Sequence, residues 1–140
     1  MMKFSKLFLL TLLLVVPLIF CVGCGDSGGS DQPELGTVSG IVTLDSQPLA
    51  GVIITFEPEK GRASNGKTDA SGNYELAYLS DAAGAVIGNH TVSISTPQEA
   101  PTPPGETYKD PIPAKYNSKT TLKEEVKAGA NTINFDLSSK

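Results

Sequence analysis

The chain has 140 residues and a formal net charge of −4, which is room for about one domain with a mildly acidic surface. It contains no Trp, a single His and two Cys, so a metal site built from His and Cys and a disulfide scaffold are both excluded, and we expect no cofactor. An acidic chain without a basic cluster is also unsuited to nucleic acid, which we exclude from its partners.

Residues 1–23 are typical of a secretory signal peptide. Two Lys residues give the start a positive charge, and residues 7–20 are almost entirely apolar. This run is too short for a bilayer-spanning helix, which needs about 20 apolar residues, but it suits the apolar region of a signal peptide. The sequence therefore predicts an exported chain.

The leader ends with Gly23-Cys24, a small residue directly before a Cys. This pattern resembles the lipobox of bacterial lipoproteins, although Cys21 stands where Leu is usual. Cys21 is the poorer acceptor because the bulky Phe20 precedes it. The resemblance implies cleavage before Cys24, whose sulfur would carry lipid with palmitate-type chains and anchor the protein in the membrane of the cell envelope, on the periplasmic or surface side. A plain secretory signal and an uncleaved anchor are the alternatives.

Residues 24–36 form the expected lipid-anchored tether. They are rich in Gly, Ser and Asp and have no apolar pattern, which is typical of a flexible linker. The last twelve of them have a root-mean-square span of roughly 20 Å. The folded domain is then expected over residues 37–138.

Apolar residues at every second position predict β-strands from the start of this domain. The first strand is predicted over residues 37–44 and the second over residues 51–57. Residues 45–48 have the composition of a turn, and residues 58–68 are predicted as a polar loop.

A tight turn is predicted next, with the Asp69 side chain capping it and Gly72 at a positive φ. A short strand follows and contains Tyr74 and Leu76. Residues 90–95 predict another strand, since His, Val and Ile alternate with polar residues there.

The last third of the chain begins with residues 97–113, six of which are Pro. We expect an irregular connection here, because Pro cannot donate to a strand ladder. A strand at 122–127, a hairpin turn at 128–131 and a last strand at 133–137 follow. Six or seven short strands without a convincing helix predict an all-β fold, an antiparallel β-sandwich.

Three short motifs occur in an order that resembles the carboxypeptidase regulatory-like domain. They are Gly40 with Pro48-Leu49-Ala50-Gly51, Thr68-Asp69-x-x-Gly72-x-Tyr74, and Ile112-Pro113-Ala114-Lys115-Tyr116. The resemblance covers residues 37–138 and implies a seven-stranded antiparallel Greek-key sandwich of the transthyretin (prealbumin) type. The chain is most similar to small envelope lipoproteins that consist of a signal, a tether and this one domain. The resemblance implies no chemistry, because in the carboxypeptidases this domain lies beside the catalytic one.

Two candidates for chemistry have simpler structural explanations. His90 is the single imidazole, but it is in phase with an apolar strand face and no nucleophile motif accompanies it, so we expect a structural role. Asp69, Ser71, Asn73 and Glu75 alternate like calcium ligands, but the following glycine falls at the wrong position for a calcium loop. We therefore interpret this segment as a turn.

The chain contains four Tyr residues, and exposed aromatic rings are the usual platforms for sugars. Tyr78, Tyr108 and Tyr116 are possible contacts, although packing is the more common use of Tyr.

These observations favour a non-enzymatic, lipid-anchored β-sandwich of the cell envelope with a binding or scaffolding role. Its expected partners are the membrane, through the lipid, and an envelope protein or glycan of unknown identity. We assign no catalytic or metal-binding residue, and the ligand-binding residues are unknown. The alternatives are a carbohydrate- or peptide-binding accessory module and, third, a hydrolase.

Overall fold

The computed structural model describes residues 32–140. Within this range the fold is all-β, with no α-helix and one short 3-10 turn at Ala114–Tyr116. None of the helical structure in the same range is long and apolar enough to cross a membrane. The expected leader, Cys24 and residues 25–31 of the tether lie outside the described residues.

Twelve strand segments are found between residues 32 and 140. In chain order they are β1 (Leu35–Leu44), β2 (Gln47–Pro48), β3 (Ile53–Pro58), β4 (Ser64–Lys67), β5 (Asn73–Glu75), β6 (Ala77–Leu79), β7 (Ala82–Ala83), β8 (Ala85–Val86), β9 (Gly88–Ser95), β10 (Leu122–Val126), β11 (Gly129–Thr132) and β12 (Phe135–Leu137). They form two six-stranded sheets, so the predicted all-β, sandwich-like architecture is confirmed.

The first sheet is centred on β1. On one side β1 pairs antiparallel with β2, β5 and β8 in turn, and on the other it pairs with β11 and β12. The ladders of β1 with β11 and β12 are parallel, which departs from the purely antiparallel sandwich expected from the sequence. The reason is that the chain crosses from β10 in the second sheet to β11 in the first, and so arrives running in the same direction as β1.

The second sheet is antiparallel throughout, in the order β10-β9-β3-β4-β6-β7. The apolar faces predicted for the strands are confirmed, since their alternating residues are buried in the core. The buried apolar residues are Val38, Val42, Val52, Ile54, Phe56, Tyr74, Leu76, Ala85, Val92, Ile94, Ile112, Val126, Phe135 and Leu137. Their burial is the main source of stability that the sequence provides.

Two expected boundaries are wrong. β1 begins at Leu35, so the last two residues of the expected tether belong to the first sheet. Residues 58–68, expected as a loop, contain β4, which pairs with β3. The inward positions of that segment are Ser64, Gly66 and Thr68, which are small or polar and therefore leave no apolar alternation in the sequence.

The prediction of a hairpin turn at residues 128–131 is also wrong. Residues 129–132 are β11, which pairs with β1, while β10 pairs with β9 in the other sheet. The Asn131 side chain bridges the two sides of this crossing: its amide accepts from the backbone N–H of Lys127 at 2.9 Å and donates to the carbonyl oxygen of Thr37 at 3.0 Å.

β1 runs from one end of the sandwich to the other. Its start lies beside the first described residues, and its ten residues carry the chain roughly 30 Å to the opposite end at about 3.3 Å per residue. At that far end Asp45 and Ser46, both at positive φ, make the tight turn predicted at 45–48. The C-terminal residues lie at the same end, since the Asp45 carboxylate accepts from the backbone N–H of Ser139 at 3.1 Å. We call this the distal end.

Candidate functional site

His90 is enclosed in the core, as its position in the strand pattern predicted. It is 1% exposed, and the centroid of its ring lies 5.6 Å from the centroid of the Phe56 ring. Nε2 lies 2.6 Å from the carbonyl oxygen of Val86, so Nε2 carries the proton and donates it. The side chain is therefore almost closed to solvent, although His90 also lines a depression of about 250 Å³ together with Glu59, Asn89, Thr91 and Lys123.

Ser64 is the other buried polar group beside Phe56. It is the register partner of Phe56 on β4, and its side chain is fully buried. Neither Oγ of Ser64 nor Nδ1 of His90 has a hydrogen-bond partner within residues 32–140. Both atoms are buried, so within the described residues these two groups are polar components of the core.

The Asp69 side chain caps the turn, as the sequence predicted. Its Oδ1 accepts from the backbone N–H groups of Ser71 at 2.9 Å and Asn73 at 3.0 Å, and Gly72 has a φ of 79°. The bond from Ser71, followed by that from Asn73, lowers the pKa of the Asp69 carboxyl. Within the described range no group of three or more His, Cys, Asp or Glu side chains is placed to hold a metal ion.

The lowered pKa of Asp69 makes the turn sensitive to acid. An ionised group with a depressed folded-state pKa stabilises the fold above its unfolded pKa, here 3.8, and this contribution disappears as the pH falls through the folded-state pKa. We expect Asp69→Ala to lower the melting temperature at pH 7, and the difference from the wild type to shrink below pH 3.8. Melts from pH 7 to pH 2 measure this, with the exposed Glu75→Ala as a charge control. A difference independent of pH would contradict it.

The four tyrosines have different environments. Tyr74 is buried and donates to the carbonyl oxygen of Ile133 at 2.7 Å, and burial raises the pKa of its phenol. The partly buried Tyr116 packs on the core, and Nζ of Lys115 lies 5.0 Å from its ring centroid. Tyr78 is half-buried on β6, whereas Tyr108 is 40% exposed.

The Pro-rich connection is outside both sheets, as predicted, but its ends are joined by hydrogen bonds. The Asp110 carboxylate accepts from the backbone N–H of Thr96 at 2.9 Å, from the Thr96 hydroxyl at 3.0 Å and from the backbone N–H of Ile112 at 2.9 Å. The Tyr108 hydroxyl lies 2.5 Å from the Thr96 hydroxyl. Residues 97–109 therefore form a loop that is closed at its base.

Two depressions meet at this base. A groove of about 610 Å³ lies between residues 108–114 of the loop base and Asn117, Ser118 and Ser139. A second depression of about 360 Å³ lies against the loop itself, residues 98–109. Tyr108 and Lys109 line both, and we call the two together the Tyr108 cleft. Because it includes Ser139, the cleft belongs to the distal end.

Sequence reasoning named Tyr108 as a possible contact but missed Thr96, Lys109 and Asp110. A Thr directly after a strand and an Asp directly before Pro111 are the signals that point to a closed loop base. Nothing in the sequence pairs them, because 14 positions separate Thr96 from Asp110.

No protein-family model matches the chain, and no curated protein matches it. A solved structure of a DUF3823 family protein from Parabacteroides merdae is similar, with a TM-score of 0.39 and 13% sequence identity. The similarity covers 75% of this chain and 46% of that chain, so this chain spans less than half the length of that protein. A similarity at this level carries no argument about function.

Proposed function

We propose that the chain is a non-enzymatic, lipid-anchored β-sandwich of the cell envelope that binds a partner at its distal end, opposite the start of β1. The observation that carries this proposal is the Tyr108 cleft, a loop closed at its base and placed at the distal end. Loops held by a rigid scaffold are where binding sites are usually found. The burial of His90 supports the non-enzymatic part of the proposal.

We also propose that the fold is a carboxypeptidase regulatory-like domain, a Greek-key sandwich of the transthyretin type. The three motifs behind the resemblance hold structural positions, which supports this. Gly40 packs directly against the backbone of Ile133, Gly72 completes the Asp69 turn, and Ile112 is buried in the core.

The lipid anchor is tested by the mass of the mature chain. We expect native protein extracted from membranes to lack residues 1–23 and to carry acyl mass on Cys24. Cys24→Ala should leave the leader uncleaved and without lipid, whereas Cys21→Ala, the matched control, should change neither. Intact mass spectrometry measures both properties. Acylation of the Cys24→Ala variant, or its loss in Cys21→Ala, would move the anchor to Cys21 and refute the assignment.

The binding role is tested by cross-linking in living cells. A photoreactive amino acid at Lys109, in the cleft, should give a discrete adduct of higher mass. The same amino acid at Lys60 is the control, because Lys60 is exposed and adjoins Gly61, which approaches Val86 beside the start of β1. No adduct at Lys109, or equal adducts at both positions, would count against a distal binding site.

The hydrolase alternative makes a separate prediction, which the native protein extracted from membranes can test. Esterase, peptidase or glycosidase turnover that scales with protein and disappears in His90→Ala would establish it and overturn the non-enzymatic assignment.

A further inference from the structure

We propose that the Tyr108 cleft binds a short saccharide, with one face of a sugar ring stacked on the Tyr108 ring. This inference rests on the binding role proposed above and specifies the class of ligand.

The Tyr108 ring is both held in place and partly exposed, as stacking requires. Its hydroxyl is bonded to the Thr96 hydroxyl at 2.5 Å, yet 40% of the residue is exposed. The other tyrosines are less suited, since Tyr74 is buried and the Lys115 ammonium lies over the Tyr116 ring. A ring fixed at its polar tip loses little conformational entropy when a ligand binds, which favours affinity.

The frame around the ring is rigid. Asp110 uses both carboxylate oxygens in three hydrogen bonds, so its charge is already engaged by the protein. Pro111 and Pro113 line the same groove and have fixed φ angles. A groove of about 610 Å³ falls within the usual range for sites of small ligands.

The rim offers both kinds of hydrogen-bonding group. Lys109 lines both depressions and Ser118 lines the groove, and both side chains can donate hydrogen bonds. Glu99 and Glu106 line the second depression and supply acceptor oxygens. Sugar hydroxyls both donate and accept, so a rim that contains donors and acceptors suits a neutral saccharide.

A peptide fits this cleft less well. Peptides usually bind by adding a strand to a sheet edge, by laying an apolar helix face into a groove, or as Pro-rich segments against several aromatic rings. The cleft is built from a segment without strands. Of the exposed large apolar residues between 32 and 140, which are Ile41, Leu79 and Tyr108, only Tyr108 lies in it. A single aromatic ring with a polar rim therefore favours a saccharide.

The test uses the full-length chain purified in a detergent without a sugar head group. Cellotetraose, mannotetraose and chitotetraose are titrated by calorimetry and observed by saturation-transfer NMR, with a proline-rich decapeptide alongside. We expect at least one tetrasaccharide to bind, and Tyr108→Ala to weaken its affinity about tenfold or more, equivalent to about 1.4 kcal/mol. Tyr108→Phe keeps the ring and should retain most of the affinity. Tyr78→Ala, the matched control on β6, should change nothing.

Thermal melts show whether Tyr108→Ala is folded, and Ser118→Ala, in the groove, provides a second variant that leaves the Thr96–Asp110 contact in place. Failure of all three tetrasaccharides to bind, or binding that is unchanged in both variants, would overturn the inference. Binding of the decapeptide alone would also refute the saccharide but would support the binding role. A Lys109 adduct in cells without any saccharide binding would refute only this inference, whereas absence of the adduct would count against the proposed function itself.

Discussion

Replacement of Gly40 by alanine is expected to abolish the fold or to destabilise it by about 4 kcal/mol or more, which is exceptional for a single substitution. A Cβ at this position would lie 1.8 Å from the carbonyl oxygen of Ile133 and 3.0 Å from a ring carbon of Tyr74. The neighbour is backbone, and Tyr74 is itself fixed by its hydrogen bond to Ile133, so neither can yield easily. Chemical denaturation followed by circular dichroism measures the loss.

Gly129→Ala is the matched control for this substitution. Gly129 has a φ of 87°, and a Cβ there would meet no atom within 4 Å. It should therefore cost only the strain of a left-handed backbone, about 1 kcal/mol. A Gly40→Ala variant no less stable than Gly129→Ala would contradict the packing of β1 against residue 133.

Truncation of Phe56 should cost about 3–5 kcal/mol, the usual range for a buried Phe changed to Ala. The side chain is fully buried between the sheets, with its ring 6.1 Å from that of Phe135 and 5.6 Å from that of His90. Phe135→Ala should have a similar effect. Because the two rings touch, the double variant should lose less than the sum of the single losses.

Thr55→Ala, on the opposite face of β3, is the control for Phe56. Thr55 is partly exposed, and its hydroxyl donates to the Asn65 side chain at 2.8 Å, so its loss should cost no more than about 1 kcal/mol. Urea titrations of the variants compare the losses. Losses below about 1 kcal/mol at both Phe56 and Phe135 would mean that the core is assigned to the wrong residues.

The sequence predicted the strands whose inward positions are large and apolar. The faces containing Val38, Ile54 and Val92 are buried as expected, because burial of such side chains alternates with exposure along a strand. The Asp69 turn was predictable for a different reason: its hydrogen bonds are local, and Asp and Gly are the residues that such a turn requires.

The elements that the sequence missed depend on distant partners. β4 has Ser and Gly at its inward positions and is defined by β3, while β11 is defined by β1 at the other end of the chain. Local composition cannot reveal either pairing. The candidate site has the same character, since Tyr108 was one of three possible tyrosines until its bond to Thr96 and the loop closure by Asp110 singled it out.

The parallel ladders of β1 have a consequence for the order in which the chain folds. They join segments about 93 positions apart, as between Ile41 and Asn134, and contacts of such separation form slowly because a long loop must close first. Until β11 and β12 emerge from the ribosome or a transport channel, β1 lacks both neighbours on one side and the core lacks Phe135 and Leu137. For the export proposed above, this delay would preserve the unfolded state that threading across a membrane requires until β12 has crossed.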